Sequence, residues 1–456
     1  MTDSTMPPKD FKDSALYRWS VLVFISLTMF ASYFFYDVYS AVKPTLLAET
    51  GISNAEYGMY YGAYSFTISF LLMGFFGGII LDRWGIRKTS TLFITFMLLG
   101  SFVTAYGTTS VFRDGGVGHG LFSAVLPGIS PSLKAMVLGR IIFGFGAETF
   151  YVCINKIIAK WFKNRELALA FAINVAFGRL GTALVFSLAP RVAGTPPAID
   201  PVAWMGVIVM IIALVAFIAF TFMDEKHDRT LGFSEHGDDG DQFTLADIYK
   251  LLSNRAFIYV TTLCVLFYSA VFPFLGFAPD FLHNKYGFSL EASGDLATIL
   301  PYGTIVFTPI FGWFCDKKGK SASIMIVGSA ILLVVHVVFA LTSFQPYIPL
   351  FLLGMAFSLV PAAMWPAVAK IVDERRLGTA YGFMFTIQNY GLMFFPWIMG
   401  LTLDLSNKGN PPDAPLDYTN TILVLAVLGV VGLLFAMLLK REDKAAEIGL
   451  ELPNIE

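Results

Sequence analysis

A chain of 456 residues in which 56% are hydrophobic and 14% charged, at a mean hydropathy of +0.67, departs from ordinary soluble domains, where about a quarter of residues are charged. That composition excludes a soluble enzyme or binding module and points to an all-α, polytopic membrane protein whose standing partner is the lipid bilayer. A formal net charge of -2, with no Lys/Arg-rich tail, gives no reason to expect a nucleic-acid partner.

Apolar runs of about 18 to 25 residues recur twelve times, near 17–40, 54–80, 88–110, 132–158, 166–190, 201–223, 256–282, 291–314, 321–343, 347–370, 377–402 and 419–440. The first follows Lys9, Lys12 and Arg18, is too long for a signal-peptide core, and reads as a retained span. Lys and Arg are distributed unevenly: 23 fall at the N-terminus, alternate loops and C-terminus, six fall in the opposite loops, and only Arg140 and Arg179 remain inside spans. By the positive-inside rule both termini are expected in the cytoplasm. The polar interval from Asp224 to Arg255 divides six spans from six, giving an N-terminal bundle at 1–223, a cytoplasmic linker at 224–255, a C-terminal bundle at 256–440 and a tail at 441–456. Within the linker, FTLADIYKLL predicts a short interfacial helix. Cys153, Cys264 and Cys315 lie in or at the end of apolar segments without metal or disulfide spacing, so each reads as core, and neither metal nor cofactor is expected.

The two halves repeat one another. GGIILDRWGIRK (Gly77 to Lys88) follows span two, FGWFCDKKGK (Phe311 to Lys320) follows span eight, and Gly78, Asp82 and Gly85 recur as Gly312, Asp316 and Gly319 at a constant offset of 234. RELALAFAINVAFG at the start of span five is echoed by RRLGTAYGFMFTIQ at the start of span eleven. The first loop, in which Arg83 and Arg87 supply the bases of G-x-x-x-D-[RK]-x-G-x-[RK], resembles the signature of the major facilitator superfamily. That resemblance implies the superfamily's fold, 12 transmembrane helices in two pseudo-symmetric six-helix bundles, and transport by alternating access. The glycines are then expected to let helix ends approach closely, and Asp82 to cap a helix end or pair with a base as a breakable latch. LGRIIFGFG places Arg140 and Gly144 on one helical face and resembles the superfamily's span-four motif, which implies either proton coupling or a structural tether for Arg140.

Two ionised residues stand in the middle of spans four and five: Glu148 and Arg179. A charge near a bilayer centre costs roughly 3 kcal/mol on insertion scales, so such residues face a partner, a bundle interior or a watery cavity. Counted from the basic turn Lys160 to Arg165, the two lie roughly 15 and 20 Å deep in a core about 30 Å thick. An acid and a base at the midplane of neighbouring helices can hold the two ends of a zwitterion. YGMYYGAYSF sets Tyr57, Tyr61 and Tyr64 on one face; Tyr57 and Tyr60 read as interfacial anchors, and the deeper Tyr61 and Tyr64, with Asp37 and Tyr36 of span one, as candidate ligands. In the second half Tyr268, Phe272, Trp365, Gln388 and Asn389 are intramembrane candidates; packing is the alternative for Phe272 and Trp365, while Gln388 and Asn389 need hydrogen-bond partners. His336 reads as a packing residue.

AVFPFLGFAPDFLHNKYGFS (Ala270 to Ser289), LGMAFSLVPAAMWPAVA (Leu353 to Ala369), LGTAYGFMFTIQNYGL (Leu377 to Leu392), FGFGAETF, WFKNRELALAF and FGRLGTA closely resemble the major facilitator superfamily domain-containing protein 1 family, the lysosomal dipeptide transporters of animals. The resemblance implies a carrier binding a short peptide between its halves, with the span-four acid and span-five arginine, here Glu148 and Arg179, contacting its amino and carboxyl ends. The opposite loops hold no N-x-[ST] acceptor and the tail no clear acidic dileucine signal, so a bacterial inner membrane is the expected setting, with proton symport open beside uniport. Two other readings stand: an organic-anion or sugar carrier in which Arg179 alone binds ligand and Glu148 is its counter-ion, and a non-transporting receptor or sensor. No Walker loop, G-x-S-x-G elbow or HExxH helix suggests an enzyme, no catalytic residue is assigned, and a monomer is expected.

Overall fold

A computed structural model describes residues 14–163, 165–231, 245–373, 376–411 and 414–453, and among them it contains helices and no strand. In lipid every backbone N–H and C=O must be paired within the segment, and the helix does this for an isolated span. The long helices are α1 (Ala15–Tyr36), α2 (Asn54–Gly62, Phe66–Leu71 and Met73–Trp84), α3 (Ile86–Thr108), α4 (Pro131–Phe162), α5 (Leu167–Ala193) and α6 (Ile199–Leu231). The second half supplies α7 (Arg255–Tyr286), α8 (Leu290–Ala297 and Ile299–Lys318), α9 (Ser321–Leu341), α10 (Tyr347–Ile371), α11 (Leu377–Ser406) and α12 (Thr419–Ala446).

Among the described residues ten helices are long and apolar enough to cross a membrane, and the bent pair in α2, taken as one span, makes eleven. α11 has the length, 30 residues, but not the apolar character of the others, since Gln388, Asn389 and Tyr390 interrupt its middle, so the twelve spans expected are matched by apolar character at ten or eleven. The uninterrupted second span expected at 54–80 is instead bent by 73° near Leu72, a non-glycine residue at φ 50° in the left-handed region. Helix α6 runs past 223 into the polar interval as far as Leu231, and Asp224 is buried there, accepting from Lys160 Nζ (2.8 Å) and the Trp161 indole N–H (2.9 Å). A short helix covers Leu245–Ser253; the acidic stretch 232–244 lies outside the described residues.

Packing repeats as the sequence echo requires. α1 with α5, α1 with α6, α2 with α4, α3 with α4 and α3 with α6 in the first half correspond to α7 with α11, α7 with α12, α8 with α10, α9 with α10 and α9 with α12 in the second. Between halves, α2 lies along α11 and α5 along α8. These contacts are dense at the end opposite the basic turns, here the far end. A Cβ on Gly58 would fall 2.1 Å from the Pro396 carbonyl oxygen, and one on Gly400 2.0 Å from that of Asn54, so backbone meets backbone across the halves. Closure continues down α2 to Ser69, whose carbonyl accepts from the Tyr390 hydroxyl at 2.8 Å. Toward the basic end the halves diverge: Cβ atoms on Gly78 and Gly312, or on Gly378 and Gly382 of α11, would meet nothing within 4 Å.

The C-terminal tail folds back over the second signature loop. Lys320 N donates to Glu451 O (3.1 Å), Ser321 N to Leu450 O (3.0 Å), and Leu450 is fully buried. Gly319 holds φ 69° beneath this crossing, where a Cβ would stand 2.4 Å from the Leu452 carbonyl carbon. Gly319→Ala is therefore expected to lift the tail, which limited proteolysis reads as faster cleavage after Ala446; an unchanged rate would count against the strap.

Candidate functional site

Glu148 sits on α4 fourteen residues before its end at Phe162, and Arg179 on α5 twelve residues after its start at Leu167. At about 1.5 Å per residue these are depths of roughly 21 and 18 Å from the basic end. α4 continues past the expected boundary at 158, so Glu148 is deeper than the sequence count put it, and the two charges match more closely in height.

Glu148 is only 4% exposed, with the Tyr64 hydroxyl in hydrogen-bonding reach of its carboxyl group. Arg179 is half-buried and lies among rings: its guanidinium carbon is 5.4 Å from the centre of Tyr33, 5.7 Å from Phe272 and 4.6 Å from Phe357. Among the described residues neither charge has an ion-pair partner, and they are not paired with each other. Tyr33 of α1, whose ring centre is 5.4 Å from the Arg179 guanidinium carbon, has Glu148 and Asp37 as further electrostatic neighbours. An acid and a base at similar heights, neither in a salt bridge among the described residues, can receive an ammonium and a carboxylate of one small molecule.

The other candidates divide into groups. Tyr61 donates to Asp37 Oδ1 and Thr182 to Asp37 Oδ2, both at 2.8 Å, and the Tyr61 ring covers Gly276 of α7. Each Asp37 oxygen thereby accepts a hydrogen bond from within the first half. Tyr57 and Tyr60, read as interfacial anchors, are instead buried, and the Tyr57 hydroxyl donates across the halves to Gly276 O at 2.9 Å. Arg140 is 0% exposed: its Nη2 donates to Tyr36 O (2.8 Å) and its guanidinium lies 4.2 Å from the Tyr36 ring centre, with Tyr60, Tyr61, Tyr64 and Phe143 around it. In this state it ties α4 to α1 and α2, with Gly144 abutting the Tyr64 carbonyl as the shared-face reading requires.

In the second half Tyr268 accepts from Trp365 Nε1 at 3.0 Å, stacks on Phe272 with ring centres 5.8 Å apart, and meets Phe357 edge-on at 6.0 Å. Gln388 and Asn389 are buried within the bundle: Gln388 accepts from the Cys264 thiol (3.3 Å), and Asn389 donates to Phe385 O of its own helix (2.9 Å). Gln388 thereby finds a partner inside its own half, whereas the buried Asn389 Oδ1 has none among the described residues. His336 is buried edge-on against Phe274, its Nδ1 at 2.8 Å from Leu332 O.

At the basic end Asp82 pairs with Lys156 of α4 (2.7 Å), and Arg87 with Asp228 (3.0 Å) and Asp224 (3.5 Å) of α6. Arg83 is exposed, Asp316 is half-buried at the end of α8, and Gly85 turns between α2 and α3 at φ 78°. The close approach expected at Gly78 and Gly312 is absent here because the basic ends of the two halves stand apart; Gly77 instead abuts the Thr149 side chain. Sequence reading missed Tyr33, Tyr151, Thr182 and Phe357. The signals were present: Tyr33 is one turn before Asp37, Tyr151 nearly one turn after Glu148, and Phe357 two turns before Trp365.

The sequence pattern of the Major Facilitator Superfamily matches residues 25–396 and again 274–452. The chain belongs to the Major Facilitator Superfamily. Over 398 residues it is 31% identical to the lysosomal dipeptide transporter MFSD1 of Homo sapiens, covering 85% of this chain and 80% of that protein. It is 23% identical over 408 residues to the hexuronate transporter of Bacillus subtilis, covering 84% of this chain and 87% of that one. Among solved structures, the nucleoside transporter NupG aligns with a TM-score of 0.68 at 14% identity over 92% of this chain and 98% of its own, a likeness of fold. As a superfamily member the chain is an integral, multi-pass membrane transporter of a small-molecule substrate, and not an enzyme.

Proposed function

We propose that this transporter carries dipeptides or similarly small zwitterions, Glu148 holding the ammonium end and Arg179 the carboxylate end. The observation that carries the reading is the pair itself: opposite charges at similar depth on neighbouring helices, neither in a salt bridge among the described residues, with Tyr33 close to both. Leaving both unpaired in a bundle interior costs stability, and a ligand with complementary ends offsets that cost on binding. The 31% identity to a protein named as a dipeptide transporter supports the same substrate class. Recognition of the main-chain ends leaves side chains to the aromatic wall of Tyr268 and Trp365, which favours broad specificity.

The uneven placement of Lys and Arg, 23 against six, supports a cytoplasmic basic end and hence cytoplasmic termini. On that orientation the structure is open to the cytoplasm, and a bacterial inner membrane is the proposed setting. Uptake of a labelled dipeptide into proteoliposomes, with and without an imposed pH gradient, tests the function. Saturable uptake that falls when either terminus of the peptide is blocked is expected; dependence on the gradient assigns symport, independence uniport. Transport of a hexuronate or another organic anion with no dipeptide uptake overturns the peptide reading in favour of a carrier using Arg179 alone.

A further inference from the structure

We infer that Phe357 of α10, seconded by Phe272 of α7, is the positioning surface for Arg179, so that the carboxylate-binding group of one half is oriented by rings of the other. The inference rests on the dipeptide reading above and adds to it the source of the guanidinium's orientation.

The geometry begins with what Arg179 lacks. No hydrogen bond and no ion pair fixes its guanidinium among the described residues, yet a long, flexible side chain needs something to hold it. Three rings surround the group, and two of them, Phe357 at 4.6 Å and Phe272 at 5.7 Å, come from the opposite half. A ring presented to a guanidinium face attracts the cation through its quadrupole and leaves the N–H edge free. That edge carries five donors in a planar fork matched to a carboxylate. Ring contacts therefore hold the cation without consuming its N–H donors, which a protein acid paired with Arg179 would do.

Phe357 can do this because it is itself fixed. It is 3% exposed, packs edge-on against Phe272 at 5.3 Å and 87°, and meets Tyr268 at 6.0 Å; Tyr268 is anchored by the Trp365 N–H, and Tyr381 donates to Trp365 O at 3.1 Å. The whole cluster belongs to α7, α10 and α11, so it moves as part of the second half, while Arg179 moves with α5 in the first. A rocking motion that separates the halves at this level takes the rings from the guanidinium and frees it to swing. Carboxylate affinity is thereby tied to conformational state through Phe357, with no direct contact between that residue and the ligand.

The test compares Phe357→Leu with Phe357→Tyr and Phe357→Trp, measuring binding of a dipeptide with a free carboxyl group and of the same dipeptide amidated at its C-terminus. Loss of a partly desolvated cation–π contact is expected to weaken Phe357→Leu toward the free-carboxyl peptide by about tenfold, with the amidated peptide nearly unchanged. Both aromatic variants are expected to retain the parent's preference. Phe272→Leu, which removes the more distant ring, is expected to show the same pattern at smaller size and serves if Phe357→Leu fails to fold by thermal melting. A leucine variant that loses affinity equally for both peptides marks a merely structural role and overturns the inference, as does one that keeps the parent's preference. A parent protein that binds neither peptide, or both equally well, overturns the dipeptide reading itself, a different outcome from selective binding that ignores residue 357.

Discussion

Glu148→Gln is expected to lower affinity for a dipeptide by at least roughly thirtyfold while leaving the fold intact, because it removes one member of a buried, charge-assisted contact valued at about 2–5 kcal/mol. The amide is isosteric and its oxygen still accepts from Tyr64, so the change isolates the charge. The signature lies in the pairing of variant and ligand. An N-acetylated dipeptide, which has no ammonium group, is expected to bind the parent weakly and Glu148→Gln no worse. Arg179→Lys keeps a cation but loses the fork, and is expected to cost about tenfold or more for the free carboxyl group with little effect on the amidated peptide. Equilibrium binding of the four variant–ligand combinations checks both ends at once. If Glu148→Gln transports the unmodified dipeptide at the parental rate, the ammonium assignment is wrong and Glu148 is a structural acid bonded to Tyr64.

That pair was legible in the sequence because charge inside an apolar run is expensive, and depth in a helix is a matter of counting residues. The same arithmetic located Arg140, and its glycine spacing anticipated the Gly144 contact, though nothing local foretold a cage of four tyrosine rings drawn from two other helices. Glycine positions in the signature loops were legible as a motif but not as contacts. Gly78 and Gly312 face open space in a state whose basic end is parted, while the close approaches occur at Gly58 and Gly400, outside any recognised pattern. Sequence holds both states of an alternating machine, and a single structure displays one. The bend near Leu72 was invisible for another reason: leucine is a good helix former, and only tertiary packing could put it at positive φ. Least legible were the partners of Lys43, which read simply as one of six bases in the sparse loops. Its acid, Asp280, lies 237 residues away in the other half, beyond the reach of any periodicity.

Lys43→Met is expected to open the far end. Lys43 and Asp280 are 1% and 2% exposed, their charged atoms are 2.5 Å apart, and Lys43 also donates to Asn54 Oδ1 (2.5 Å) and Tyr418 (3.2 Å). Asp280 in turn accepts from Tyr418 and from Asn284, and Asp404 of α11 accepts from the Asn54 and Ala55 backbone N–H groups, giving a negative charge to the N-terminus of α2 from across the halves. Every member of this network that crosses the halves must let go when the far end opens and water enters. Removing Lys43 alone leaves the Asp280 carboxyl group enclosed without its ion-pair partner, a cost of about 3–5 kcal/mol borne by the closed state and relieved in the open one. The closed-to-open ratio is expected to fall roughly a hundredfold or more, read as faster modification of a cysteine placed at buried Ser40 by an impermeant maleimide applied from the far side. Lys43→Met combined with Asp280→Leu is expected to return labelling toward the parental rate, since an apolar pair leaves no stranded charge. Were the single variant to label no faster than the parent, the buried pair would be packing that both states share; were the double variant to label as fast as the single one, shape rather than charge would be what closes this end.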